Sequence, residues 1–557
     1  MFTPATRVAA VASLAGVVAL AGSMFTPAAP SVPAVSAPSA LTDRPNIVLV
    51  LADDLDMSLL RKMPNVESLA NSGVTFDNSF VVDSLCCPSR AATFTGMFPH
   101  NTGVRVNTST PGIPDPTGGY AAFQDHEDST FAVSLQQRGY HTAFMGKYMN
   151  QYPVEDGAPL PPGWDQWNAV SSGGYRGWQF AMTTTVPGSD VVLTESYTGL
   201  EDDQYVQTVL GERAVEFIDG AEPGTEPYLL EVAPYGTHSR VGGRAHPGDP
   251  RFPPAFQDRP NDIDTDGDCG GVGVGVSRDC TRLSIRHLDG FGQPTEDNRP
   301  YSRDGSVVRP GWLPVEPVES QDVRHLSRDY RNRARMAQSV DRIVGDVVAA
   351  AQGEPTYVVF SSDNGFRLGQ FQLGRGKGSA YTPDIQVPLI VGGEAVPDAM
   401  RGSTRDEVVL NVDLASTFED IAGKRRPTSF HDGSSLLPLV RSERSVPWRE
   451  MGYVEHVQPT DAQDNPDQEA STNRVPTFWA VRSADALFVE TRLRVSEVGA
   501  EPVWKKGFEY YTGLSERGAF EDTNRYQPGD RQIRQMRAAL HAYRTCVGKD
   551  CRAITAQ

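Results

Sequence analysis

Positive charge is scarce in this chain. Its 557 residues hold 51 Lys and Arg against 70 Asp and Glu, a formal net charge of −19. That shortage argues against non-specific nucleic-acid binding, which depends on Lys and Arg neutralising phosphates, so no nucleic-acid partner is expected. It also requires any polyanionic substrate to be captured by a few local cations, because the field of the whole molecule repels it. Long apolar runs are equally scarce. The only one, Val8 to Gly22, is shorter than the ~20 residues a bilayer-spanning helix needs, so no transmembrane segment is expected. What is abundant is core material. An apolar fraction of 39% with 7 Trp, 18 Tyr and 23 Phe excludes wholesale disorder. At roughly 100–200 residues per domain, the length fits two to four domains, or one large α/β domain with an annex.

The apolar run follows Arg7, the only charge before Asp43, and leads into a Pro/Ala/Ser tract from Thr26 to Ala40. This is the pattern of a secretory signal peptide with cleavage between Ser23 and Ala40, and residues 1–40 are read as signal peptide and linker. The protein is therefore expected to be secreted or otherwise extracytoplasmic. The six cysteines fit that compartment. Cys269 and Cys280 flank a Gly-rich loop, and Cys546 and Cys551 flank Val547 to Asp550, so each pair can close locally as a disulfide. The adjacent Cys86 and Cys87 are poorly suited to pair with each other and need another explanation.

From Pro45 onward the pattern is strand, acidic turn, helix, repeated at α/β spacing. Ile47 to Leu51 is a continuous apolar run, as a strand buried on both faces requires, and it ends on Asp53-Asp54. Thr356 to Phe360 is a similar strand leading to Asp363-Asn364. A helix capped by Ser129, an amphipathic helix from Tyr205 to Ile218, a long helix from Ser327 to Ala351 and a terminal helix from Arg531 to Tyr543 are predicted. Residues near 240–320, rich in Pro, Gly, Asp and Arg, read as an insertion. After Trp448 the texture changes to short β patterns, so a catalytic domain over 41–445 and a C-terminal subdomain over 446–557 are expected.

The acidic strand ends carry the first chemical signal. Ligands of open α/β sheets sit outside the carboxyl ends of the strands. Four oxygen donors there, Asp53, Asp54, Asp363 and Asn364, suit calcium or magnesium better than zinc. The second signal is Cys86-Cys87-Pro88-Ser89-Arg90 followed by Ala91 to Gly96. Pro88 belongs in the first turn of a helix, which places Cys86 at an N-terminus whose N–H groups and dipole attract anions.

Cys-x-Pro-Ser-Arg followed by Ala-x-x-x-x-Gly resembles the signature of the formylglycine-dependent sulfatase family, in which that Cys is oxidised to formylglycine. The doubled cysteine is similar to the branch of N-acetylglucosamine-6-sulfatases and extracellular heparan sulfatases. Pro99 to Val104, Gly146 to Asn150, Ser362 to Gly365, and Lys377 with Val387-Pro388 fall in the family's order. The resemblance implies an α/β, alkaline-phosphatase-like sandwich: a large mixed central sheet flanked by helices, plus a smaller C-terminal α+β subdomain. It implies calcium, with magnesium second, held by Asp53, Asp54, Asp363, Asn364 and the modified Cys86. Arg90 would steady the formylglycine. Lys147 and Lys377 would hold sulfate oxygens, and His238 would assist the leaving group. Asn150 and Arg367 would complete the substrate site. The implied partners are a sulfated carbohydrate or small sulfate ester, such as N-acetylglucosamine 6-sulfate, and a formylglycine-generating enzyme during maturation. The chemistry agrees, because an aldehyde hydrate offers a hydroxyl nucleophile and cations around sulfuryl oxygens offset developing charge.

Two features depart from that branch. Phe366-Arg367 stands where an aromatic and a His are usual, and Arg367 is a permanent cation that cannot donate a proton at pH 7. His238 lies in a loose alignment, with Tyr235 where an Ala-Pro-His pattern puts the histidine and His246 nearby. Asp262 to Asp268 resembles the start of an EF-hand loop but has Gly273 where the bidentate Glu belongs, and is read as a solvated acidic turn. Arg324 to Arg335 reads mostly as a solvated helix face, with one arginine able to reach substrate. Glu455-His456 reads as a pocket-lining or a surface pair. Two other functions stay open: a phosphonate monoester or phosphodiester hydrolase of the same superfamily, and a silent glycan-binding homologue.

Overall fold

The computed structural model describes residues 44–554, apart from 239–282 and shorter stretches at 110–116, 154–155, 187–188, 222–223, 225, 295–296, 309–311, 314–319, 459–474, 495–502 and 517; the side chains of 320, 321 and 494 are also outside it. The signal and linker segment, the Cys269/Cys280 pair, His246 and the Asp262 to Asp268 turn lie outside the described residues.

Twelve strands come first: β1 Asn46–Ala52, β2 Val74–Phe80, β3 His141–Gly146, β4 Gln166–Ser172, β5 Phe180–Thr185, β6 Val192–Tyr197, β7 Tyr228–Ala233, β8 Thr356–Ser362, the short pair β9 Arg367–Leu368 and β10 Arg375–Gly376, β11 Leu389–Gly392 and β12 Ser403–Leu410. Ten of them form one sheet in the order β12-β2-β11-β8-β1-β7-β3-β4-β5-β6. Its centre, β8-β1-β7-β3-β4, is parallel, while β11 and β5 run against their neighbours, so the sheet is mixed.

β1 shows why the sequence takes this place. All seven of its residues are buried. Val48, Val50 and Ala52 enter one core with the helices Pro64–Asn71, Val206–Gly220 and Ser320–Ala350. Ile47, Leu49 and Leu51 enter the other with the helices Cys86–Thr95, Phe131–Gln136 and Asp413–Ile421. Side chains alternate across a strand, so a run apolar at every position is what a sheet covered on both faces demands. The expected helix-covered sandwich is the fold observed.

After residue 450 an antiparallel sheet forms from β13 Met451–His456, β14 Phe478–Ser483, β15 Ala486–Arg494 and β16 Trp504–Thr512, in that order. The helix Arg531–Tyr543 adds Ile533, Met536 and Leu540 to its core, and Cys546 is bonded to Cys551 as expected.

Four local expectations differ from the structure. The helix after residue 129 is capped by Thr130, whose hydroxyl accepts from Val133 N, rather than by Ser129. The long helix begins at Ser320. Arg324 and Arg328 are exposed as expected, but Arg333 and Arg335 on the same helix are each 1% exposed. Glu455 and His456 are buried rather than superficial: Glu455 meets His100 at 2.7 Å and His456 meets Asp83 at 3.4 Å.

Gly146, the last residue of β3, sits at φ +116°, and a Cβ there would lie 2.1 Å from the Ala233 carbonyl oxygen. Gly103, at φ +73°, has open space around the same position. Gly146→Ala should therefore cost about 2–4 kcal/mol in denaturant melts, against about 1 kcal/mol for Gly103→Ala, where only backbone conformation is penalised. Equal losses would mean that β7 yields freely beside β3.

Candidate active site

Four adjacent parallel strands deliver the chemistry-bearing residues to one sheet end. β8 leads into Asp363 and Asn364, β1 into Asp53 and Asp54, β7 into the turn ending at Thr237 and His238, and β3 into Lys147. Backbone hydrogen bonds tie these turns together. Asp53 N donates to Gly236 O at 2.9 Å, Thr237 N to Asp53 O at 2.6 Å, Asp363 N to Ala52 O at 3.0 Å and Lys147 N to Ala233 O at 2.8 Å. The helix Cys86–Thr95 starts over this end with Cys86 as its first residue and Leu85 as an extended cap. Lys377 arrives from the segment just after β10.

At the centre, Cys86 Sγ lies 3.6 Å from Asp53 Oδ1 and 4.0 Å from Asp54 Oδ1. Lys147 Nζ is 3.2 Å and Lys377 Nζ 2.8 Å from the same sulfur. Lys147 also holds Asp53 at 2.8 Å, and Lys377 holds Asp54 at 2.6 Å. Asn364 Nδ2 donates to Asp54 Oδ1 at 2.6 Å, and Asp54 N donates to Asp363 Oδ1 at 3.1 Å. His238 Nε2 stands 3.6 Å from Asp54 Oδ2, with its ring 4.5 Å from that of Tyr175. Burial pushes the Asp53 carboxyl up to about 6, against the opposing charge of Lys147. Neither Cys86 nor Cys87 is in a disulfide; Cys87 Sγ accepts from Asn150 N at 3.2 Å.

Arg90 lies one turn along the helix, fully buried. Its Nε donates to Asp363 Oδ2 at 2.9 Å and its Nη1 to Lys147 O at 2.7 Å, so it links the β8 and β3 turns. Burial would lower its pKa, but Asp363 and then Asp53 raise it, fixing the guanidinium as a permanent cation. Glu231 on β7 acts on it as well. This carboxyl is fully buried, has no hydrogen-bond partner among the described residues, and is pushed up to about 8 by burial against the pull of Arg90.

The structure thus brings together Cys86, Arg90, Lys147, Lys377, His238, Asp53, Asp54, Asp363 and Asn364. Asn150 is placed behind Cys87. Arg367 is buried and hydrogen-bonded to Asp384, whose carboxylate also accepts from Ser379 N at 2.8 Å. Two supporting residues were not singled out individually from the sequence. Arg333 donates to Thr237 O at 3.0 Å and to Asp54 O, meets Asp56 at 3.2 Å and lies over the Phe366 ring at 4.3 Å. Tyr175 lies under Lys147 Nζ at 5.1 Å. The signal for Arg333 was its helical phase: it falls three and four residues before the apolar Met336 and Ala337. Tyr175 sits in a Gly-rich turn with no pattern to mark it.

Comparison with known proteins identifies this arrangement. The sulfatase family model matches residues 45–424 and so contains every residue of the cluster. The chain belongs to the sulfatase family. It is thereby a member of the sulfuric ester hydrolases. A second model, the N-sulphoglucosamine sulphohydrolase C-terminal region, matches residues 376–474. The chain is 30% identical over 432 residues to the human N-acetylglucosamine-6-sulfatase, covering 75% of this chain and 68% of that one. It is 28% identical to an extracellular sulfatase homologue of Caenorhabditis elegans, covering 74% of this chain and about half, 52%, of the relative. A solved protein bound to its substrate D-glucosamine-2-N,6-O-disulfate shares the fold at TM-score 0.58 and 21% identity, covering 91% of this chain and 98% of that one. The phosphonate monoester hydrolase of Silicibacter pomeroyi shares it at TM-score 0.52 and 18% identity, covering 89% and 93%.

The sulfatase's acidic cluster fits a divalent cation. One ligand atom from each of Asp53, Asp54, Cys86 and Asp363 can be chosen so that all lie within 4.8 Å of one another. Asn364 Oδ1 is buried and has no hydrogen-bond partner among the described residues, as an oxygen reserved for a metal would be. A donor set dominated by carboxylate and amide oxygens selects a hard cation.

The clamp on the acidic turns makes its own prediction. Arg333→Met leaves the Asp54 and Thr237 carbonyls and the Asp56 carboxylate without their buried cation, and should cost about 3–5 kcal/mol in unfolding free energy. Because Asp54 shifts with its own carbonyl, turnover at a temperature where the variant remains folded should also fall at least about tenfold. Parental turnover in a destabilised variant would confine Arg333 to a structural role.

Proposed function

We infer that the protein is an exported, calcium-dependent sulfatase that hydrolyses a sulfate ester of an amino sugar of the N-acetylglucosamine 6-sulfate type, with Cys86 matured to formylglycine. The observation that carries this reading is the placement of the Cys86 sulfur between two lysine ammonium groups, at 3.2 and 2.8 Å, and against the carboxylates of Asp53 and Asp54. The names of the human and Caenorhabditis elegans relatives support the substrate class and the extracellular compartment. No helix among the described residues is long and apolar enough to cross a membrane, which is compatible with export.

Formylglycine at position 86 would supply a hydrated aldehyde as nucleophile, and calcium held by Asp53, Asp54, Asp363 and Asn364 would supply charge for its activation. The chain's own residues do the rest. Lys147 and Lys377 flank the reacting position from two sides and can hold two sulfuryl oxygens while charge develops on them. Arg90 anchors the first turn of the helix to Asp363 and prevents Cys86 from drifting relative to the acidic turns. His238, whose Nε2 stands 3.6 Å from Asp54 Oδ2, would as the imidazolium pass a proton to the departing sugar oxygen. Arg367 is buried and engaged with Asp384, and no step is assigned to it.

The same nucleophile position and cation pair can serve a phosphonate monoester, and the fold likeness to the Silicibacter pomeroyi enzyme keeps that reading in view. One experiment addresses both. The purified protein should hydrolyse N-acetylglucosamine 6-sulfate at least about a hundredfold faster than an aryl phosphonate monoester, and the tryptic peptide holding Cys86 should show the mass of the aldehyde. An active enzyme with an unmodified Cys86 peptide defeats the covalent reading, and a reversed preference replaces the sulfatase reading by the phosphonate one. For the lysines, Lys147→Ala and Lys377→Ala should each lose about 2–4 kcal/mol of transition-state stabilisation, mainly in kcat. Wild-type turnover in either variant removes that residue from the mechanism.

A further inference from the structure

The outer face of the C-terminal sheet carries a concentration of positive charge at odds with the rest of the molecule. Glu490 on β15 is fully buried, and four basic side chains converge on it. They are Lys506 from β16, Arg537 at 3.9 Å, His541 at 3.6 Å and Arg544 at 3.5 Å. Arg492, two residues on along β15, shares the face and is exposed. Three permanent cations therefore stand around one carboxylate with Arg492 on the same face, so among the described residues that meet there three are in excess. Asp485 and Asp530 act on Tyr510, at the opposite end of β16.

Two tryptophans are built into the same face. Trp479 lies directly across from Glu490, with the Arg544 guanidinium 3.8 Å above its ring. Trp504 is 46% exposed, with Arg492 4.4 Å above it. An indole that holds a guanidinium on one face fixes that cation's position, and its remaining exposed surface is apolar and flat. The combination suits a polymer whose units alternate apolar ring faces with sulfate groups: the sugar rings stack on Trp504 while Arg492, Lys506, Arg537 and Arg544 take the sulfates through charge-assisted hydrogen bonds.

The location is separate from the reacting centre. Glu509, adjacent in sequence to Phe508 on β16, points to the other face of the sheet, where it accepts from the Tyr381 hydroxyl at 3.0 Å, four residues beyond Lys377. The basic face is thus turned away from Cys86 by the thickness of the sheet. In a chain of net charge −19, a surface of this sign offers a polyanion short-range attraction against the repulsion of the whole molecule. We propose that the Trp504–Arg492–Lys506 face, with Arg537 and Arg544 from the terminal helix, is a docking site for a sulfated polysaccharide chain, distinct from the catalytic pocket. It deepens the sulfatase reading by specifying a polymeric substrate, and its kinetic arm rests on that reading while its binding arm does not.

Immobilised heparin is the probe, with the full-length Cys86→Ala protein so that no turnover intervenes. The protein should bind heparin with an affinity that weakens steeply as salt is raised. The triple variant Arg492→Ser, Lys506→Ser, Trp504→Ala should bind at least about tenfold more weakly with an unchanged melting temperature. Hyaluronate, a polysaccharide without sulfate, and polyglutamate, an acidic chain without sugar, should each bind at least about tenfold more weakly than heparin. In the active enzyme, the triple substitution should raise KM for a heparin-derived octasaccharide several-fold and leave kinetics on N-acetylglucosamine 6-sulfate unchanged. Undiminished heparin binding by the triple variant overturns the proposal, as does polyglutamate binding as tightly as heparin or an equal loss on monosaccharide and octasaccharide. If the protein proves to have no sulfatase activity, the heparin measurements still decide the docking site by themselves.

Discussion

Three carboxylates, Asp53, Asp54 and Asp363, are buried side by side at the ends of two neighbouring strands, and the architecture of the site follows from keeping them there. Like charges in a dry interior repel one another strongly and pay heavily for lost hydration, so each needs a cation held to it. The chain supplies Lys147 to Asp53, Lys377 to Asp54 and Arg90 to Asp363. Each cation comes from a different part of the sequence: the end of β3, the segment after β10 and the helix that covers the sheet. Neutralising the acids therefore fixes the relative positions of strand ends, covering helix and returning loop in one stroke. It also draws all three cations to the first turn of the helix, where Cys86 sits. Two of the residues that balance the charge, Lys147 and Lys377, are the ones proposed to grip the anionic ester, so one set of contacts would serve both stability and binding.

This economy explains which parts of the site were legible from the sequence. The acidic pairs follow apolar runs that can only be buried strands, and Cys86 and Arg90 fall at the start of a helix marked by Pro88. Their types and phases determine their places. The lysines were reachable only through the family-like segments around them, because a single Lys after a Gly carries no periodicity. Arg333 was hidden for the opposite reason. It lies in an Arg-rich stretch whose composition reads as solvated, yet the helix turns it inward, as it does Arg335, and two backbone carbonyls and Asp56 receive it. Composition averages over a helix face, and burial is decided residue by residue.

Glu455 and His456 teach a related lesson. As a polar pair opening the C-terminal region they read as pocket or surface. In the structure they anchor β13 to the loop before Cys86: Glu455 N donates to Val82 O at 2.9 Å and its carboxylate takes His100, while His456 meets Asp83. The same principle governs the outer face of that sheet, where Glu490 is spent on organising cations rather than on cancelling them. Buried acids in this molecule are used as scaffolds for positive charge, which is how a chain with so few Lys and Arg can present them where they matter.

The contacts around Cys86 also set a timetable. Its sulfur meets Lys377 across 291 residues of chain, and Arg90 meets Asp363 across 273. The cap on its neighbourhood closes later still, when the Gly548 N–H reaches Asp432 at 2.6 Å and the Cys546 carbonyl receives Asn101 at 3.0 Å. During synthesis, contacts so distant in sequence cannot form until the partner segments have emerged. A thiol that finishes with no exposed surface thus spends much of translation in an open chain. Any macromolecule that is to work on Cys86 has to reach it before these contacts close, so the order in which the chain assembles becomes part of how the site is made.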